Sequence, residues 1–98
     1  MNVEFLAEAE KELREAARYY EKEAAGLGLA FLVEAHRAVH EIETFPEAWP
    51  IVRQSIRKKT LSRFPFNLLY SIESDSILVI AVAHHMRRPN YWLSRTKK

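Results

Sequence analysis

The stretch AVAHHMRRPNYWLSR, residues 81–95, gathers the side chains of this chain best suited to chemistry. His84 and His85 titrate near neutral pH and could serve as general acid or base. Arg87 and Arg88 could neutralise a phosphate, and Tyr91 or Trp92 could stack on a base. Cleavage of RNA by its own 2′-hydroxyl needs such parts: a base, a cation for the phosphorane and an acid for the leaving oxygen. The same residues make an equally good contact patch, because Arg, Tyr and Trp dominate interface hot spots. They could also be the plain end of a strand, with the aromatics folded onto the core. Residue types alone leave the three readings open.

A second cationic run, IRKKTLSR (56–63), carries Arg57, Lys58, Lys59 and Arg63. Read as a strand, it points Arg57 and Lys59 to one side and Lys58 to the other. It is either a phosphate-binding ledge or an edge strand charged against aggregation. His36 and His40 share a helix face at the i,i+4 spacing that zinc can use. The HExxH form is absent, the chain has no cysteine, and Arg37 beside the pair opposes a cation. A solvated helix face accounts for them better, so neither metal nor cofactor is expected.

These groups need elements to hold them. NVEFL (2–6) alternates as a short strand, with Val3 and Phe5 on one face. In AEAEKELREAARYYEKEAAGLG, Ala9, Leu13, Ala16, Ala17, Tyr20 and Ala24 fall on one helical stripe, with Glu10 and Arg14 as an outer i,i+4 pair. Gly26 and Gly28 stand where this helix stops. A second helical run, LAFLVEAHRAVHEIETF, aligns Phe31, Ala35, Ala38, Val39 and Ile42, and so short a connection makes an antiparallel hairpin. Pro46 and Pro50 close the helical region. FNLLYSIE alternates with Phe66, Leu68, Tyr70 and Ile72 on one face, SDS (74–76) turns, and ILVIAVA is apolar on both faces, as a covered central strand must be. The expected order is β-α-α-β-β-β: an α+β fold with a C-terminal antiparallel meander and the helix hairpin on one face.

With 98 residues the chain fits one small domain, taken as 1–98. Hydrophobic residues at 48% and charged ones at 29% exclude a disordered chain. Without cysteine, the core must be stabilised by packing, to which a partner could add. The acidic N-terminus lacks a signal-peptide h-region, and no apolar run approaches the roughly 20 residues of a membrane span. A cytoplasmic location away from membranes is expected. Charge is split: residues 1–50 hold five Lys/Arg against eleven Asp/Glu, net −6, and residues 51–98 hold ten against two, net +8. The basic half suits an anionic partner.

Taken together, FLAEAEKELREAARYYE, VHEIETFPEAWP and RFPFNLLYSIESDSILVIAVAHHMRRPNYW resemble, in order and spacing, the RelE/ParE superfamily of toxins from type II toxin–antitoxin systems. The resemblance covers nearly the whole chain. It implies a RelE/ParE-like fold whose N-terminal strand joins the sheet beside the last strand. It also implies a cognate antitoxin that wraps and blocks the toxin in a hetero-oligomer. RelE-type members cut mRNA on the ribosome without metal, and on that reading Lys58, His85, Arg87 and Tyr91 are the candidate catalytic residues. Asn67, however, lies where those ribonucleases keep an arginine. ParE-type members instead poison DNA gyrase without a catalytic constellation, and VAHHMRR is closer to their ending. A ParE-like toxin is therefore preferred over a RelE-like nuclease. Arg57, Lys58, Lys59, Arg63, Arg87, Arg88, Tyr91 and Trp92 are then expected to contact the target or the antitoxin.

Overall fold

The computed structural model describes residues 1–96. β1 (Asn2–Phe5) leads into α1 (Ala7–Glu23) and α2 (Leu27–Thr44). β2 (Ile51–Arg53), β3 (Ile56–Thr60), β4 (Phe66–Ile72) and β5 (Ser76–His84) follow, then a 3₁₀ turn at Leu93–Thr96. The strands form one sheet in the order β1-β5-β4-β3-β2. β1 lies parallel to β5, with Asn2 opposite Ser76 and Phe5 opposite Val79, and the other pairings are antiparallel. The α+β architecture is the expected one, with the N-terminal strand beside the last. The meander has one strand more. β2 is three exposed residues behind Pro50, too short to display a period of two, and a tight turn with Gln54 at φ 53° joins it to β3.

One sheet face packs on the helices. Ala9 and Ala16 of α1 and Phe31, Ala38 and Ile42 of α2 meet Phe66, Leu68 and Tyr70 of β4 and Ile77, Val79 and Val82 of β5. Tyr20 seats edge-on against Phe64 and Phe66, with centroids 4.9 and 6.2 Å away. The other face is smaller: Ile56, Leu69, Ile80, Ala81 and Ala83, covered by Trp92. β5 is thus buried on both sides, as its unbroken apolar run requires. Between Leu69 and Tyr70 the register slips, so Leu69 faces Ala81 while Tyr70 faces Val79. Ile80 is the extra residue of a bulge, which lets Ile80 and Ala81 both join the second cluster.

The helix break divides its two glycines. Gly26, at φ 86°, takes the left-handed conformation before α2. Gly28, expected at the stop of α1, instead lies in the first turn of α2, against α1. The Glu21 carboxylate accepts the Gly26 and Gly28 N–H groups, each at 3.0 Å. A Cβ on Gly28 would stand 2.5 Å from the Ala17 carbonyl oxygen. Gly28→Ala is therefore expected to destabilise the fold by about 2 kcal/mol through overpacking. The urea midpoint reads this, and an unchanged midpoint would refute the close approach.

Candidate functional site

β1 stops at Phe5, opposite Val79, so the rest of β5 has no strand on that side. Two charged side chains occupy the gap. Glu12, reaching in from α1, accepts the Val82 N–H at 2.9 Å, and Arg95 donates to the Ile80 carbonyl at 3.0 Å. The pair also bind each other: Arg95 Nη1 donates to Glu12 Oε1 at 3.0 Å and Nη2 to Oε2 at 2.9 Å. Such a two-pronged contact fixes orientation as well as charge. Tyr91 completes the hub, its hydroxyl donating to Glu12 Oε2 at 2.6 Å. Burial by itself would push the Glu12 pKa up. The hydrogen bonds from Arg95, Tyr91 and the Val82 N–H, with the charge of Arg95, outweigh it and hold the carboxyl below its ordinary 4.5. Burial, and next the bond to Glu12, push the Tyr91 hydroxyl up. Tyr91 thus stays protonated, its proton committed to Glu12.

With the C-terminal segment held this way, a cleft of about 270 Å³ opens on the second sheet face. Leu69, Ala83 and the edge of Trp92 form its apolar floor, and Lys58, His84, His85, Arg87, Arg88 and Tyr91 stand around it. None of the described residues lining it is acidic. Arg87 lies over the Tyr91 ring, 3.7 Å from its centroid, and 3.9 Å from Glu12. Arg88 is exposed and has no ion-pair partner among the described residues. The His84 Nδ1 accepts the Met86 N–H at 3.0 Å and its ring lies edge-on to Phe66, 5.0 Å between centroids, while His85 is exposed. Asn67 also lines the cleft, with its Oδ1 accepting the Thr60 hydroxyl at 2.8 Å.

The cleft brings together Lys58, His85, Arg87, Arg88 and Tyr91, drawn from two separate stretches of sequence. It excludes three cations expected with them. β3 alternates as read: Arg57 and Lys59 turn toward the helix side. Arg57 donates to the carbonyls of Glu47 and Trp49 at 3.2 and 2.7 Å, tying down the loop after α2. Lys59 pairs with Glu41 of α2 at 3.0 Å and sits over the Trp49 ring. Arg63 lies on the β3–β4 loop beside Phe64, near α2. Trp92, expected as a contact residue, is only 5% exposed. Burying so large a ring over an otherwise bare apolar face outweighs presenting it to solvent. His36 and His40 are exposed, and no cluster of three or more metal-type ligands occurs among the described residues.

Glu12 and Arg95 were not anticipated. The available signal was positional: Glu12 falls three residues after Ala9 and four before Ala16, inside the apolar stripe of α1. A carboxylate there needs a partner.

A family model described as the ParE toxin of the type II toxin–antitoxin system, parDE, matches residues 3–89. The matched span covers Lys58 and the His-Arg run but ends before Tyr91, Trp92 and Arg95. A solved structure described as the chromosomal ParDE TA system from P. aeruginosa superposes with a TM-score of 0.63 at 16% identity. The alignment covers 86% of this chain and 95% of the other. That likeness is one of fold. None of the curated proteins compared with the chain matches it.

Proposed function

Because this chain belongs to the ParE toxin family of type II toxin–antitoxin systems, we propose that it arrests growth by binding and poisoning DNA gyrase. A cognate antitoxin restrains it. The observation that carries this reading is the Tyr91–Glu12 bond at 2.6 Å. A tyrosine that donates to a part-buried, charged carboxylate cannot also deliver its proton to a leaving group. Asn67 in the cleft supplies no positive charge for a phosphorane. What remains is a cationic rim, Lys58, Arg87 and Arg88, around an apolar floor, the composition of a contact surface. The acidic helices and basic sheet half fit a toxin held by partners of opposite charge.

One observation favours a second reading, a metal-independent endoribonuclease working on the ribosome: His84 and His85 share the cleft with Lys58 and both arginines. His85→Ala separates the two. If gyrase is the target, the variant still arrests growth and still traps cleaved plasmid with purified gyrase. If the chain cuts mRNA, loss of a general acid–base group lowers cleavage about 10²–10⁴-fold. Primer extension on translated message would detect that loss. No effect of the wild-type chain on gyrase supercoiling or trapped cleavage would sink the gyrase reading.

A further inference from the structure

β5 ends in a tight turn with an apolar tip. The Arg87 N–H donates to the His84 carbonyl at 3.0 Å, closing a β-turn with His85 and Met86 at its centre. The His85 N–H donates to the Pro65 carbonyl at 2.8 Å, and the Met86 N–H to the His84 Nδ1 at 3.0 Å. Three successive backbone donors are satisfied within the protein, so the turn is in place before any partner arrives. Met86 itself stays outside: at 84% exposure it is the most exposed large apolar side chain among the described residues. A lone apolar side chain on a surface needs no explanation. This one is fixed in the middle of a cationic surface. His85 precedes it, the half-exposed Arg87 and the exposed Arg88 follow it, and Lys58 stands on the same cleft. Arg88 has no ion-pair partner among the described residues, and none of those lining the cleft is acidic.

We propose that this turn binds duplex DNA, with Met86 wedged into a base step from the minor groove and Lys58, Arg87 and Arg88 on the phosphates alongside. Apolar side chains, methionine among them, enter base steps in this way and bend the duplex. A protein partner is disfavoured by charge. It would bury two arginines around the thioether, and each would need its own carboxylate. Duplex DNA meets that demand along its whole length, with one negative charge per roughly 1.7 Å of axis. A second copy of this chain would set cations against cations. Single-stranded RNA is disfavoured because unpaired bases need aromatic platforms. Trp92 is buried, and the Tyr91 ring is covered by Arg87 at 3.7 Å from its centroid. The tip thus adds a contact with DNA itself to the gyrase reading and stands apart from it, since it would bend a duplex without the enzyme.

The test uses the full chain and a short DNA duplex carrying a fluorescent donor and acceptor at its two ends. Wild type is expected to bend the duplex and raise the energy transfer. Its log affinity should fall against log salt with a slope of about −2.7, as three phosphate contacts require. Met86→Ala should bind about tenfold more weakly and leave the duplex straight, whereas Met86→Leu should keep both properties. Met86→Lys separates a wedge from a simple cationic patch: it adds a charge, so it should bind yet not bend. The position is exposed, and thermal melts establish that each variant folds. Wild type that leaves the duplex straight, or Met86→Lys that bends it fully, overturns the wedge. So does tighter binding to single-stranded RNA of the same sequence. If Met86→Ala weakens binding to DNA-free gyrase but bends the duplex like wild type, Met86 is a protein contact and the proposal falls. Wild type that bends the duplex but traps no cleaved plasmid with gyrase keeps the wedge and sinks the gyrase reading instead.

Discussion

Glu12→Ala is expected to lower stability by about 3 kcal/mol, equivalent to roughly 15 °C of Tm for a chain of this size. The carboxylate side chain is 14% exposed and is contacted by the Arg95 guanidinium, the Tyr91 hydroxyl and the Val82 N–H. Removing it leaves a half-buried cation and two donors without acceptors, a larger loss than that of any surface ion pair. Val82 and Tyr91 bond different oxygens of the carboxylate, so Glu12→Gln keeps an acceptor for only one of them and loses the charge against Arg95, and an intermediate loss is expected. The pH dependence follows from the same contacts. The folded pKa of Glu12 lies below the 4.5 of a free carboxyl. Its stabilisation is therefore complete above that value and is lost as pH falls through the lower, folded pKa. Chemical denaturation from pH 7 to pH 3 should show a steeper acid loss for wild type than for Glu12→Gln. Parallel curves would mean that the ionised form of Glu12 contributes nothing.

Reversing the charge of the cleft rim has the largest expected functional effect. Arg88→Glu combined with Arg87→Ala removes two cations and adds an anion where the described lining holds no carboxylate. Target binding should weaken about 30-fold or more, and induced cells should resume growth. Arg87 is 3.9 Å from Glu12 and half-exposed, and Arg88 is free of ion pairs among the described residues, so folding should survive. The thermal melt checks this, and growth arrest at wild-type strength in a folded variant would remove the rim from the target surface.

Much of the fold could be read along the chain, because its signals are local. A 3.6-residue stripe names Phe31, Ala35, Ala38 and Ile42 as the inward side of α2, and an unbroken apolar run names β5 as the covered strand. Alternation placed Lys58 opposite in direction to Arg57 and Lys59, as observed. β2 escaped because three residues cannot display a period. The site was legible only in part. Lys58 and the segment from His85 to Tyr91 are recognisable by residue type. Whether an arginine or an indole faces a partner or the protein itself depends on groups remote in sequence.

Apart from β2, the order and type of the main elements, the charge split and the family resemblance were therefore determined by sequence alone. Assembly of the cleft was decided by tertiary structure. Trp92 turned inward because β5 left an apolar face uncovered. Arg57 and Lys59 were drawn to the loop and to α2 because backbone carbonyls and Glu41 lay within reach. Tyr91 donates its hydroxyl hydrogen bond to Glu12, 79 positions away, because the early end of β1 left backbone groups of β5 that a carboxylate and a guanidinium could satisfy. A desolvated polar group requires whichever partner the fold brings near, and no local pattern records which one that is.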